Sequence, residues 1–196
     1  MAHTQHNTGN QEWYTPEWII EAARRTMGRI DLDPASNPIA NQWIRADRYF
    51  THEQNGLLHE WSGCVWLNPP YANKLMTAFI DKLEQSLPTM ESACVLTNNA
   101  TETHWGQQLL RISSAICFLS RRVKFLTPDV TVKHTGLQGQ MVSYIGPDAS
   151  TFIANFNSCR MVYAWFVWNK TASCQQPVIK WIDNHAYVLG KHDSDS

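Results

Sequence analysis

Between Thr15 and Leu119 the chain alternates between two hydrophobic periods, and this alternation limits its fold more than any other feature. Residues 15–27 read as a helix: Thr15 suits the N-cap, Pro16 the first helical position and Glu17 the first turn, while Ile19, Ala23 and Met27 share an apolar face and Gly28 is a stop. Residues 29–33 read as a short strand ended by Pro34, residues 36–42 suit a loop or short helix, and residues 45–50 are a weaker strand. Residues 64–67 are a strong strand, and residues 73–87 return to helical spacing through Leu75, Met76, Phe79, Leu83 and Leu87. Strands at 93–96 and 115–119 flank a helix at 104–112 carrying Trp105, Leu109 and Leu110. Strands and helices in this order predict an α/β fold with a mostly parallel sheet and helices on both faces. After Ser120 the rhythm changes. Residues 141–145, 151–156 and 161–168 read as strands joined by short turns, which implies antiparallel C-terminal strands. Val178, Ile179, Trp181 and Ile182 suggest a closing helix behind Pro177.

The chain has 196 residues, 43% of them apolar and 17% charged, enough for one sizeable core. We expect a single domain over 13–190, a disordered lead at 1–12 and a loose tail at 191–196. Residues 1–12 are polar, with no apolar signal core, and no run of 18 apolar residues occurs, so a soluble cytoplasmic protein without membrane contact is expected. Cys64, Cys94, Cys117, Cys159 and Cys174 are widely spaced and form no Cys-x-x-Cys pair, which argues against a disulfide framework and against a metal site. Formal net charge is -1, yet residues 111–134 hold Arg111, Arg121, Arg122, Lys124 and Lys133 against Asp129 alone. Such a local excess can meet phosphates, and it also describes an ordinary solvated face. Oligomeric state is open between a monomer and a weak dimer.

The segment Cys64-Val65-Trp66-Leu67-Asn68-Pro69-Pro70-Tyr71 carries the chemistry. The Asn68 carbonyl can accept a hydrogen bond from an amine, and the Pro69 carbonyl is a second acceptor. Pro70 restricts Pro69 to an extended conformation and so aims that carbonyl. Tyr71 offers a flat face. Two acceptors around one exocyclic NH2 orient it and leave its lone pair for nucleophilic attack. The same residues also read as a strand followed by a rigid turn.

In a parallel sheet, ligands collect beyond the carboxyl ends of strands, which is where Asp33-Pro34-Ala35 falls. The Asp33 carboxylate can pair with an ammonium group, while Tyr14-Thr15-Pro16 brings a hydroxyl and the opening N–H groups of a helix, which can hold a carboxylate. Ammonium plus carboxylate describes an amino-acid moiety such as that of S-adenosylmethionine; a strand-end cap is the plainer alternative. Asp47, near the end of the second strand, is a candidate ribose acid, and Asn55-Gly56-Leu57 is a candidate neighbour of an adenine. No Gly-x-Gly-x-x-Gly follows the first strand and no P-loop occurs, which argues against a nicotinamide dinucleotide or a nucleoside-triphosphatase site.

Together, Tyr14-Thr15-Pro16, Asp31-Leu32-Asp33-Pro34-Ala35-Ser36, Asn55-Gly56-Leu57, Asn68-Pro69-Pro70-Tyr71, Thr103-x-Trp105 and Arg122-Val123-Lys124-Phe125 resemble the phage and prophage DNA adenine-N6 methyltransferases, over residues 13 to about 156. The resemblance implies a class I methyltransferase fold, S-adenosylmethionine as donor and the exocyclic amine of adenine in DNA as acceptor. It assigns Asn68 and the Pro69 carbonyl to the amine, Tyr71 to stacking on a flipped base and Asp33 to the methionine amino group, with Thr15 in the segment closing over the methionine end. Such enzymes commonly serve phages by altering DNA, often to evade restriction. From the local charge excess, Arg121, Arg122, Lys124 and Lys133 are candidate DNA contacts, and residues 126–140 are a candidate small recognition insert. The sequence departs from the pattern in lacking a glycine after Ser36 and in having Ser120-Arg121-Arg122 where Gly-Arg is usual. Cytosine N4, RNA adenine or a protein glutamine amide would suit the same acceptor geometry, and a non-catalytic nucleic-acid-binding phage protein is the alternative of another class.

Overall fold

The computed structural model describes residues 14–126, 133–135, 138–157, 165–167 and 178–180. Helix α1 (Glu17–Met27) begins after Pro16 and ends at Gly28, whose φ of 82° is the left-handed conformation that glycine adopts without a Cβ penalty. Strand β1 (Leu32–Asp33), helix α2 (Asn41–Ile44), strand β2 (Arg48–Tyr49) and a 3-10 turn at Gly56–Leu58 follow. Next come β3 (Gly63–Leu67), α3 (Asn73–Gln85), β4 (Met90–Asn98), α4 (His104–Ile112) and β5 (Ala115–Phe118). The remaining elements are β6 (Lys124–Leu126), β7 (Lys133–Thr135), β8 (Gln140–Ile145), α5 (Ala149–Asn157), β9 (Trp165–Val167) and β10 (Val178–Lys180).

Eight strands form one sheet in the order β10-β9-β5-β8-β4-β3-β1-β2, and β6 and β7 make a separate hairpin. Strands β2, β1, β3 and β4 are parallel neighbours, with Leu32 opposite Arg48 and Val65. Strand β8 lies antiparallel between β4 and β5, and β9 and β10 continue the sheet by antiparallel pairing. All but β8 and β9 therefore run in one direction, giving the expected mixed α/β, mostly parallel sheet.

Alternating residues of the strands divide the core. On one face Cys64, Trp66, Cys94, Leu96, Val142 and Tyr144 meet Ile19, Ile20 and Ala23 of α1 and Phe152 and Phe156 of α5. On the other, Val65, Leu67, Ala93, Val95 and Ile116 meet Met76, Phe79, Ile80 and Leu83 of α3 and Leu109 of α4. Such period-2 alternation lets one sheet bury both its faces.

Several expectations are corrected. Residues 151–156 lie in helix α5 and not in a strand. The Asp148 carboxylate accepts from the Thr151 N–H at 2.9 Å and from the Ser150 and Thr151 hydroxyls, which caps the first turn. Phe152 and Phe156, four residues apart, then share one face, and Phe152 stacks on Tyr144 with centroids 5.3 Å apart. Residues 178–180 form strand β10 and do not open a helix, since the β-branched pair Val178-Ile179 lies in a ladder with β9. Thr15 is not the helix N-cap: Pro16 occupies that position, and the Thr15 hydroxyl is engaged elsewhere. Leu75, expected on the apolar face of α3, is exposed. Of the expected strand 161–168, only 165–167 are among the described residues; the termini 1–12 and 191–196, and most of the expected insert at 126–140, lie outside them. Among the described residues no helix is long and apolar enough to cross a membrane.

Candidate active site

The carboxyl ends of β1 and β3 adjoin because these strands are parallel neighbours. Asp33 ends β1 and Asn68 follows β3, so the two side chains singled out in the sequence are brought to the same end of the sheet. The hairpin β6–β7 and the segment before α1 complete this end. Tyr14 exchanges two backbone hydrogen bonds with Leu126, N to O at 3.0 Å and O from N at 2.9 Å.

Asn68 is held from two sides. Its Nδ2 donates to Thr15 Oγ1 at 3.2 Å, and the Tyr71 hydroxyl donates to its Oδ1 at 3.2 Å. Burial pushes the Tyr71 phenol further above its ordinary pKa, so it remains a donor. The Tyr71 ring meets Phe125 of β6 edge-on, with centroids 6.3 Å apart. Pro69 is buried and Pro70 exposed. Among the described residues nothing donates to the Pro69 carbonyl, which leaves that acceptor open.

Thr15 is 2% exposed and its carbonyl accepts from Trp43 Nε1 at 3.0 Å. The Tyr14 ring stands edge-on to Trp43, and the Tyr14 hydroxyl accepts from Asn37 Nδ2 at 3.3 Å. Trp43 lies in α2, whose last carbonyls, those of Trp43 and Ile44, accept from the Arg24 guanidinium at 3.1 and 2.6 Å. A run of contacts thus leads from α1 through α2 to Thr15 and Asn68.

Asp33 is 1% exposed. Burial pushes its carboxyl up to about 7, against the weaker opposing effect of the Ala35 N–H, which donates to Asp33 Oδ1 at 3.1 Å. The Ser36 hydroxyl is near enough to favour the charged form, yet Ser36 Oγ is buried without a hydrogen bond of proper geometry. A buried acid with so little compensation, beside an unpaired hydroxyl, fits a cationic ligand group such as the ammonium of S-adenosylmethionine. Pro34 packs under Gly56, where an added Cβ would stand 2.0 Å from the Pro34 carbonyl oxygen, so only glycine allows this close approach.

Other candidates fall elsewhere. Asp47 precedes β2 rather than ending it, and is exposed. The strand is only two residues long and starts after Asp47, so Asp47 is not brought to the strand-end site. The Asn55 side chain accepts from the Leu57 N–H at 3.3 Å and caps the 3-10 turn, a local role that also holds Gly56 against Pro34. Asp31 is structural: its carboxylate joins the Cys64 N–H at 2.7 Å to Arg29 Nε at 2.8 Å. Arg121, Arg122 and Lys124 are exposed and make no side-chain hydrogen bond or ion pair among the described residues. Lys133 pairs with Leu126 through the backbone of the hairpin. Among the described residues there is no group of three His, Cys, Asp or Glu that could hold a metal ion.

Two contributors were missed as site residues. Phe125 backs the Tyr71 ring, and buried Gln140 roots the hairpin: its Oε1 accepts from the Val123 N–H at 3.0 Å while its Nε2 donates to the Gln138 carbonyl at 2.6 Å. Phe125 stood inside a motif that was read for its charges. Gln140 opens a strand and looks like any solvent-facing amide.

The Asn68 amide and the Pro69 carbonyl at one strand end thus stand beside a buried acid at the end of the neighbouring strand. The chain belongs to the DNA N-6-adenine-methyltransferase (Dam) family, which it matches over residues 2–170. It is 27% identical over 129 residues to the DNA N-6-adenine-methyltransferase of Haemophilus phage HP1 (strain HP1c1), covering 63% of this chain and 72% of the phage protein. Its activity is accordingly that of a DNA adenine-N6 methyltransferase.

Proposed function

We propose that the chain methylates adenine N6 at particular DNA sites, with Asn68 and the Pro69 carbonyl accepting the two hydrogens of the amine and Tyr71 stacking on the extruded base. The sheet is that of a class I methyltransferase; its parallel half, antiparallel β8 and strand-end site support this reading. Adenine N6 is a weak nucleophile because its lone pair is delocalised into the ring. Two fixed acceptors favour a more tetrahedral nitrogen, and they act most strongly as charge develops there. A duplex adenine is reached only by base flipping, and stacking on Tyr71 offsets part of the unstacking cost.

S-adenosylmethionine supplies, when bound, an electrophilic methyl on a positively charged sulfur. Asp33 holds its ammonium, the Tyr14-Thr15-Pro16 segment and the start of α1 hold its carboxylate end, and the loops of Pro34-Ala35 and Asn55-Gly56 flank the remainder. Arg121, Arg122, Lys124 and Lys133 meet phosphates and set the register of DNA without reading bases.

The observation that supports the catalytic assignment best is the Asn68 amide, held by Thr15 and Tyr71 beside an open Pro69 carbonyl. Methyl incorporation from labelled cofactor into unmethylated DNA, followed by nucleoside identification, tests it. Asn68→Ala should lose most turnover, roughly a hundredfold or more for an interaction made in the transition state, with cofactor affinity retained. Near-normal turnover would remove Asn68 from the chemistry, and label in cytosine would change the acceptor.

A further inference from the structure

The Asn68 amide can face its site in two ways, because its oxygen and its NH2 exchange on a half-turn and are nearly equal in shape. Only one way presents an acceptor to an amine; the other sets two donors against each other. The two neighbouring hydroxyls differ in chemistry. Tyr71 carries a phenol, the better donor and poorer acceptor, and it lies 3.2 Å from Asn68 Oδ1. Thr15 carries an aliphatic hydroxyl, the better acceptor, and it lies 3.2 Å from Asn68 Nδ2. That polarity sets Nδ2 on the Thr15 side and Oδ1 on the Tyr71 side. Thr15 is in turn immobilised by the Trp43 indole on its carbonyl and by the Tyr14 ladder to Leu126.

We propose that Thr15 is the positioning residue for Asn68: its hydroxyl, acting as acceptor, fixes the amide so that Oδ1 faces the incoming exocyclic amine. The inference rests on Asn68 being the amine-holding residue. It gives Thr15 a role in turnover separate from any contact of its backbone with cofactor.

The comparison is Thr15→Val, which keeps the shape and removes the acceptor, with Thr15→Ser, which restores it. Loss of one buried hydrogen bond should lower kcat about tenfold in T15V. Cofactor Kd and KM for DNA should stay within about twofold, as expected when only a transition-state contact is misaligned. T15S should recover most of the turnover. In an Asn68→Ala background, T15V should cost nothing further, because the two act through one group. Thermal unfolding accompanies each variant, and Thr15→Ala takes the place of T15V should that protein not fold. Unchanged kcat in T15V, equal losses in T15S and T15V, a loss confined to cofactor Kd, or a further loss on top of N68A would each overturn the proposal. Full activity in N68A alone would instead overturn the reading of Asn68, so the two failures are distinguishable.

Discussion

Replacing Asp33 by Asn should make the cofactor-free protein more stable at pH 8 while weakening its hold on S-adenosylmethionine. In the folded chain the carboxyl is raised from 3.8 to about 7 by burial. Because the folded pKa lies above the unfolded one, the folded state holds more protons between about pH 4 and 7, and stability falls as pH rises through that window. The penalty is absent at lower pH and complete above about 7. A shift of about three units corresponds to roughly 4 kcal/mol at about 1.36 kcal/mol per unit. Asparagine keeps an oxygen for the Ala35 N–H but brings an NH2 that needs an acceptor, at a cost of about 1–3 kcal/mol. The net gain at pH 8 should therefore be about 1–3 kcal/mol, and near pH 4, where the burial penalty is absent, D33N should instead be the less stable protein by about 1–3 kcal/mol. Urea unfolding of both proteins across this range measures it, and taking the difference between them cancels other titrating groups. Calorimetry should show cofactor affinity reduced at least tenfold in D33N. In the wild-type protein, affinity should rise with pH up to about 7, since an ammonium prefers the ionised acid. A stability difference that does not change with pH would refute the burial argument. Unchanged cofactor affinity would take Asp33 out of the binding site.

Tyr71→Phe keeps the ring face but removes the donor to Asn68 Oδ1, so it should lower kcat about tenfold with base binding retained, whereas Tyr71→Ala should also weaken binding of the extruded base by about 1–3 kcal/mol; equally weak base binding in both, measured with an abasic-site duplex as reference, would take the ring face out of the contact. Arg122→Ala should weaken cognate and scrambled duplexes by similar factors and lower the salt slope by about one phosphate contact, and a loss confined to the cognate duplex would make Arg122 a base reader. Gly56→Ala places a Cβ against the Pro34 carbonyl, so unfolding should show about 1–3 kcal/mol of destabilisation, accompanied by weaker cofactor binding as the Asp33 loop is displaced.

The parallel half of the fold was legible because its strands are buried on both faces and its helices carry clear 3.6-residue faces. Residues 64–67 and 104–112 illustrate the two patterns, and both are found at or within a residue of those bounds. The C-terminal part was less so. Thr151-Phe152-Ile153 has the β-branched and aromatic content of a strand, and only the Asp148 cap and the four-residue spacing of Phe152 and Phe156 pointed to a helix. In the site, Asp33, Asn68 and Tyr71 were recognisable because each is the chemically distinctive residue at a strand end. Thr15 was read as a helix cap, since its partner lies 53 residues away and no local pattern records such a contact. Asp47 was placed by assuming a longer second strand than the two residues that form.

Strand β8 has a consequence for the order in which the molecule can be assembled. Strands β4 and β5 do not touch: each is bonded to β8, which arrives later in the chain, with Asn98 facing Gln140 and Phe118 facing Met141. Until Gln140 is available, two neighbouring strands present unpaired edges across a gap one strand wide. Residue 140 also roots the hairpin through Val123, so closing the gap and anchoring the hairpin are the same event. Long-range pairing of this kind is slow, and open edges are prone to pair with other chains. Pulsed hydrogen exchange should show the facing amides of β4, β5 and β8 becoming protected together, with the hairpin root, and after those joining β3 to β4.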